Sequence, residues 1–176
     1  ESSGRIGMID RWVLSTTLSW LGASHERLRA TQFVCMNLSG ASLNDERFVQ
    51  DAMLMLAANP LAARRLCLEI TESVALHDLD NTRRFMDQVR AYGVRIALDD
   101  FGAGYTSFSY LKELPAAVMK IDGSFIVAMN ANPAHITLVE AIDTLAASMG
   151  RRTIAECAAD QAPVQTLADI GVAYVP

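Results

Sequence analysis

Short apolar runs alternate along the chain with longer segments in which apolar residues recur at helical spacing. The short runs are partly β-branched, which is typical of buried strands. They predict six strands, at residues 33–36, 66–70, 94–98, 117–121, 153–155 and 172–175. The longer segments predict helices near residues 8–21, 45–57, 80–92, 134–149 and 161–170. This alternation predicts a parallel sheet covered by helices.

Two kinds of residue mark the predicted helix ends. Short polar side chains at the start of a helix accept hydrogen bonds from its free N–H groups. The predicted N-caps are Asn44, Asp78 and Asp160. Glycine after a helix often adopts the left-handed conformation that closes the last turn. The glycines predicted to do so are Gly93, Gly150 and Gly171.

The strand–helix repeat leaves two α/β architectures open, a doubly wound sheet and a (β/α)8 barrel of the TIM type. A barrel usually needs about 200 residues or more, and this chain has 176 residues. The predicted strands therefore fit a barrel that is incomplete, with its first strand and last unit missing. No low-complexity segment or linker interrupts the pattern, so we expect a single partial domain over residues 1–176. Residues 1–4 read as a cut inside a larger protein.

Composition and charge narrow the class of protein. Hydrophobic residues make up 51% of the chain and charged residues 20%, which is a globular composition. The formal net charge of −5 argues against a nucleic-acid binder, so we expect no DNA partner. No apolar run approaches the roughly 18 residues of a membrane span. We predict that the three cysteines, Cys35, Cys67 and Cys157, are small buried residues. Reduced thiols fit a domain in the cytoplasm. A membrane anchor elsewhere in the parent protein is compatible with this expectation.

Polar side chains gather at the ends of the first five predicted strands. Asn37 follows the first strand, and Glu69 lies in the second, with Glu72 just beyond it. The remaining members of the set are Asp99, Asp100, Lys120 and Glu156. In a (β/α)8 barrel the C-terminal ends of the strands form the catalytic rim. Taken singly, each residue also fits a cap, a turn or a salt bridge, but chance does not favour all of them at the same end of successive strands.

Most of these side chains are hard oxygen donors, which suit magnesium, manganese or calcium better than zinc. Several carboxylates in one small region repel one another unless cations lie between them. Two divalent ions about 3.5–4 Å apart are a common arrangement for phosphodiester cleavage. Lys120 is placed to orient the attacking water or to offset charge on the phosphate.

Four motifs closely resemble the signatures of the EAL-domain family, in order and in spacing. They are residues 36–39 (Met-Asn-Leu-Ser), 68–73 (Leu-Glu-Ile-Thr-Glu-Ser), 98–107 (Leu-Asp-Asp-Phe-Gly-Ala-Gly-Tyr-Thr-Ser) and 120–125 (Lys-Ile-Asp-Gly-Ser-Phe). The resemblance implies a (β/α)8-like barrel with one strand reversed. It also implies hydrolysis of cyclic di-GMP to the linear dinucleotide with Mg²⁺ or Mn²⁺, in a bacterial signalling protein.

The resemblance also implies a role for each matching residue. Three of them match metal ligands, Asn37, Glu69 and Asp99, and Asp100 matches a ligand of the second metal. Lys120 matches the lysine near the hydrolytic water, and Glu156 matches the first acid of an Ala-Glu-Gly-Val-Glu run. Glu72 matches the acid that supports the loop after the Asp pair. That loop, residues 101–107, takes part in family dimerisation, so a homodimer is expected.

Departures from the family pattern leave two functions open. Ala159 stands where the family has a second glutamate, and Pro176 stands where it has a glutamine. The Glu-Ala-Leu motif is expected upstream of Glu1. A working phosphodiesterase is one function that fits; the other is a catalytically inactive cyclic di-GMP receptor or protein-interaction module. In either case the resemblance implies a sensor or a diguanylate-cyclase-like domain elsewhere in the parent.

Overall fold

The computed structural model describes residues 2–24, 26–28, 30–103, 109–129, 132–157 and 161–173. The chain is α/β and divides into two compact units. Unit 1 comprises Glu1–Ile96 with Glu113–Pro115, and unit 2 comprises Ala97–Lys112 with Ala116–Pro176.

Unit 1 contains six helices and two strands among the described residues. In chain order they are α1 (Ser2–Ala23), β1 (Val34–Asn37), α2 (Gly40–Leu43), α3 (Glu46–Ala58), α4 (Pro60–Ala63), β2 (Leu66–Thr71), α5 (Glu72–His77) and α6 (Leu79–Arg90). Strands β1 and β2 pair in parallel, with Val34 opposite Leu66 and Asn37 opposite Glu69. The predicted strands and longer helices are therefore present, whereas the short helices α2, α4 and α5 were not predicted.

Helix α1 has one buried face and one exposed apolar face. Leu14, Leu18 and Leu21 recur at spacings of four and three residues, and each is 1% exposed. That spacing places them on one side of the helix, where they join the core of unit 1. On the other side Trp12 is 68% exposed and Trp20 is 48% exposed. Among the described residues, no helix is both long enough and apolar enough to cross a bilayer.

Unit 2 contains most of β3 (Arg95–Phe101) and the elements that follow it. They are a 3-10 turn (Tyr110–Lys112), β4 (Val118–Ile121), α7 (Gly123–Ala128), α8 (Pro133–Ser148), β5 (Arg152–Ala155) and α9 (Gln161–Ile170). Strand β4 pairs in parallel with β3 on one side and with β5 on the other. The strands bring fully buried side chains such as Leu98, Met119 and Ile121 to the core of this unit.

The predicted sixth strand, at residues 172–175, is wrong for the two of its residues that are described. Val172 and Ala173 do not form a strand. The N–H groups of Gly171 and Val172 both donate to the Leu167 carbonyl, each at 3.1 Å. Because these bonds close the end of α9, the Val172 amide is not free for a strand ladder. Residues 174 and 175 lie outside the described residues.

One predicted N-cap is confirmed and one is wrong. The Asp78 Oδ1 atom accepts from the Asn81 N–H at 3.1 Å, as expected of a cap. The cap of α3 is Asp45, whose Oδ1 accepts from the Arg47 N–H at 2.9 Å. Asn44 instead ends α2, where its Nδ2 donates to the Gly40 carbonyl at 2.9 Å. Asp160 lies outside the described residues.

The predicted left-handed glycines are confirmed, and two of the three cysteine predictions are wrong. The φ angles are +87° at Gly93, +70° at Gly150 and +104° at Gly171. Cys67 is buried as predicted, but Cys35 and Cys157 are exposed. Cys35 lies in β1 on the face where Asn37 is also exposed, and Cys157 follows the end of β5.

Candidate functional site

Unit 1 places Asn37 and Glu69 side by side. They are register partners at the C-terminal ends of β1 and β2, and in-register residues of paired strands project to the same face. The Leu38 N–H donates to the Glu69 carbonyl at 2.9 Å, which extends the pairing one residue beyond β1. Asn37 is exposed, whereas Glu69 is only 5% exposed. These two oxygen donors therefore lie next to each other at the strand ends, as predicted.

The Cys35 thiol lies close to the same carboxylate. Cys35 pairs in register with Cys67, two positions before Asn37 and Glu69 along their strands. Hydrogen bonding to the Cys67 side chain raises the pKa of Cys35; partial shielding of the sulfur from water, although the residue as a whole is exposed, and a hydrogen bond to Glu69 raise it further. The thiol therefore stays protonated at neutral pH, and it lies within hydrogen-bonding reach of Glu69.

Glu72 occupies the first turn of α5. It is buried, and the preceding Thr71 caps the helix by accepting from the Val74 N–H at 3.4 Å. An acid in the first turn is favoured by the partial positive charge at a helix N-terminus. Its expected support of the loop after the Asp pair stays a prediction, because residues 104–107 of that loop lie outside the described residues.

An irregularity in β3 determines how its two adjacent aspartates, Asp99 and Asp100, are presented. Leu98 pairs with Met119 and Phe101 with Ile121, so β3 holds one more residue than β4 over this stretch. The extra residue is a β-bulge, a device that redirects side chains and is frequent beside active sites. Asp100 has a φ of +54°, a left-handed conformation that few residues other than glycine adopt. Asp99 is buried and Asp100 is exposed, and the Asp100 N–H donates to Asp99 Oδ1 at 3.0 Å.

Lys120 bridges two of the acids of unit 2. Its Nζ atom lies 3.0 Å from Asp99 Oδ1 and 2.6 Å from Glu156 Oε1. Lys120 lies in β4, between Asp99 on one neighbouring strand and Glu156 at the end of the other. The lysine side chain is 10% exposed, so both ion pairs are largely shielded from water. Its ammonium group therefore offsets the negative charge that gathers at this edge.

Asp99, Asp100 and Glu156 form a group that fits a divalent cation. Each offers a carboxylate oxygen, and these atoms all lie within 4.8 Å of one another. An all-oxygen donor set is the one that Mg²⁺ and Mn²⁺ prefer. Unit 2 thus brings together all four of its predicted site residues, with Lys120 as the fourth.

The electrostatics of this cluster follow from its crowding. Partial loss of water around the carboxyl raises the pKa of Asp100, and the charges of Asp99 and Asp122 raise it further. Lys120 acts in the opposite direction but does not cancel these effects. A cation beside this carboxylate would act in the same direction as Lys120 and favour its ionised form.

The residue after Glu156 is Cys157, which stands where the Ala-Glu-Gly-Val-Glu run of the family has glycine, and it keeps a backbone conformation typical of glycine. Cys157 has a φ of +57°, a conformation that suits the glycine of the Ala-Glu-Gly-Val-Glu run. The Cys157 Sγ atom also lies 2.6 Å from the position that a Cβ on Gly123 would take, so a larger residue at position 123 would require the Cys157 side chain to move. The other two departures, Ala159 and Pro176, lie outside the described residues.

The sequence model of the EAL domain matches residues 1–176. The chain belongs to the EAL domain family. This EAL domain is 37% identical, over 89% of its length, to the cyclic di-GMP phosphodiesterase NbdA of Pseudomonas aeruginosa, of which it covers 20%. It is 33% identical, over 97% of its length, to the bifunctional diguanylate cyclase/cyclic di-GMP phosphodiesterase MucR of the same species, of which it covers 25%.

A solved structure extends the likeness to the fold. The PaMucR phosphodiesterase in its c-di-GMP complex superposes with a TM-score of 0.88 at 32% identity, over 98% of this EAL domain and 70% of that chain. The family and the EAL-type, TIM-barrel-like fold predicted from the four motifs are thereby confirmed. This EAL domain spans about a fifth of the length of the first curated relatives that it matches.

Proposed function

We propose that this EAL domain hydrolyses cyclic di-GMP to the linear dinucleotide with two divalent cations, Mg²⁺ or Mn²⁺. The observation that carries the proposal is the cluster in unit 2, where Asp99, Asp100 and Glu156 converge around Lys120. The names of the relatives support it, since NbdA and MucR are both called cyclic di-GMP phosphodiesterases.

The proposed reaction assigns different roles to different residues: some would bind the cations and others would bind the water or the phosphate. The family roles assign the metal ligands to Asn37 and Glu69 in unit 1 and to Asp99 and Asp100 in unit 2. Bound cations lower the pKa of water and offset charge on the phosphate. Lys120, an ammonium ion held by two carboxylates, donates hydrogen bonds to the attacking water or to a phosphate oxygen.

Glu156 completes the proposed water site. Its carboxylate accepts a hydrogen bond from Lys120 and is 28% exposed, so one side of it remains open to solvent. A carboxylate in that position accepts a hydrogen bond from the attacking water and turns a lone pair of the water toward the phosphorus. The Glu156 N–H donates to the Ile121 carbonyl at 3.4 Å, which ties the backbone of this residue to β4.

The alternative function is a cyclic di-GMP receptor without turnover, or a module that binds another protein. Ala159 and Pro176 favour it, since each removes a polar group that the family pattern has at that place. Catalysis depends on geometry held within fractions of an ångström, whereas binding of a dinucleotide is shared among more groups. Loss of two groups therefore affects turnover more than affinity.

The parent protein and its assembly are also part of the proposal. We expect a homodimer through the loop after Asp100, and a sensor or a diguanylate-cyclase-like domain in the parent. The bifunctional name of MucR and the small share of each relative that this chain covers support a multidomain parent. We further propose that the domain works in the cytoplasm, which its free cysteines favour.

The deciding experiment uses the full-length protein with cyclic di-GMP and either Mg²⁺ or Mn²⁺, and separates the nucleotides by chromatography. Appearance of the linear dinucleotide, and its loss on addition of EDTA, supports the phosphodiesterase. Binding in calorimetry without product supports the receptor. The absence of both product and binding would overturn both nucleotide functions and leave the protein-interaction module.

A further inference from the structure

A buried aspartate lies behind the Asn37 segment of unit 1. Asp10, on α1, is 9% exposed. Its Oδ2 atom accepts three hydrogen bonds, from the Ser39 N–H at 3.0 Å, the Ser39 hydroxyl at 2.6 Å and the Ser42 hydroxyl at 2.7 Å. All three donors are neutral; two belong to Ser39, in the turn that leads from β1 into α2, and the third belongs to Ser42 within α2.

These bonds hold the backbone on which Asn37 depends. Ser39 lies two residues after Asn37 and is the N-cap of α2. On one side the segment is fixed by the bond from the Leu38 N–H to the Glu69 carbonyl, and on the other side it is fixed by Asp10. The Asn37 side chain has no hydrogen-bond partner in the described part of the chain. The direction of its amide therefore depends on the backbone of this segment.

We propose that Asp10 is a positioning residue that fixes Asn37 for its part in cation binding. All three donors bond one carboxylate oxygen, and bonds to an ionised acceptor are roughly twice as strong as bonds to the neutral amide oxygen that asparagine would offer in its place. Groups that hold a metal ligand in place affect the metal almost as strongly as the ligand itself. The inference depends on the proposed function only through the assignment of Asn37 as a ligand.

The test measures Mn²⁺ binding to the full-length protein by calorimetry, without substrate. Asp10→Asn is expected to raise the Mn²⁺ dissociation constant about tenfold or more. In an Asn37→Ala background the same change is expected to have no further effect, because the two residues act through one ligand. Asp51→Asn is the matched control, since Asp51 also bonds α1, through Arg11 at 2.7 Å, but does not contact the Asn37 segment.

Ser42→Ala provides a milder variant in case Asp10→Asn fails to fold. It removes one of the three bonds and is expected to weaken Mn²⁺ binding in the same direction by about threefold, again only when Asn37 is present. Equal weakening in both backgrounds would mean a general structural role and would overturn the proposal, as would unchanged binding in both variants. Because the readout is cation binding, loss of cyclic di-GMP turnover in the wild-type protein does not affect the result.

Discussion

The two units present their candidate residues by different physical means. In unit 1, two regular parallel strands place Asn37 opposite Glu69, and one of the two side chains is a neutral amide. In unit 2, three carboxylates converge, and their arrangement requires a bulge, a left-handed Asp100 and the ammonium group of Lys120. Regular pairing is therefore enough where charge is sparse, whereas crowded charge requires backbone distortion and an internal cation.

Unit 2 also carries two energetic costs, backbone strain and repulsion between like charges. Left-handed backbone at a residue other than glycine costs about 1–3 kcal/mol, which the surrounding structure has to offset. Like charges in close contact add to that cost in the absence of metal. Neither left-handed backbone nor close like charges occur at Asn37 and Glu69 in unit 1. Because a cation would relieve the repulsion in unit 2, metal removal should destabilise unit 2 more than unit 1.

Replacement of Lys120 by methionine is the strongest test of this difference. Without its ammonium group Asp99 and Glu156 face each other unpaired, so the metal-free protein should lose about 3 kcal/mol of unfolding free energy. Added Mn²⁺ should restore part of the loss, because a bound cation takes over the neutralising role. Turnover should fall about 100- to 10,000-fold. Chemical denaturation with and without Mn²⁺ and the chromatographic assay measure the two effects.

Lys112→Met is the control for this variant, since Lys112 is an exposed lysine of the same unit. It should leave both stability and turnover close to wild type. A Lys120→Met protein that is as stable as the control in EDTA would show that unit 2 tolerates its crowded carboxylates without an internal cation.

Replacement of Asp100 by asparagine tests the repulsion among the carboxylates of unit 2, with a smaller expected effect than that of Lys120→Met. Asparagine tolerates the left-handed backbone as well as aspartate does, so the change isolates the charge. The melting temperature in EDTA should rise by about 1–2 °C, while the Mn²⁺ dissociation constant should rise by more than about tenfold. Asp169→Asn, an exposed change on α9, is the control. A lower melting temperature for Asp100→Asn would mean that the carboxylate stabilises the metal-free unit.

The smallest expected effect is a change with pH in the stability difference between Asp100→Asn and wild type. Because the folded pKa of Asp100 lies above the usual value of 3.8, the folded protein holds this proton more tightly than the unfolded chain. The destabilisation is therefore complete above the folded pKa and disappears as the pH falls toward the unfolded value. In EDTA, the stability advantage of Asp100→Asn over wild type should narrow between pH 7 and pH 4. An advantage that stays constant over this range would rule out ionisation of Asp100 as its cause.

The sequence predicted the strands and the polar residues at their ends because both depend on local pattern. Short apolar runs mark β1 to β5, and the polar residue at the end of each run is adjacent in sequence to it. Helices such as α2 and α4 were missed because four residues are too few to show a helical period. The sixth strand was wrong because hydrophobicity alone does not reveal whether Val172 has a hydrogen-bonding neighbour.

The less predictable features depend on partners far away in the chain. The bulge at Asp99 and Asp100 is defined by the register with β4, which the sequence of β3 alone does not contain. Asp10 bonds residues 29 and 32 positions away, so no short motif connects them. The family resemblance supplied the roles of the site residues, but not the backbone conformation that displays them.

The exposed face of α1 has a spectroscopic consequence. The chain has two tryptophans, Trp12 and Trp20, and both lie on that face of unit 1. Indole emission at long excitation wavelength therefore reports on one helix, and unit 2 contributes none of it. Any segment that covers this face will shift the emission to shorter wavelength, whereas the proposed metal binding at Asp99 and Asp100 can be followed by other probes without interference.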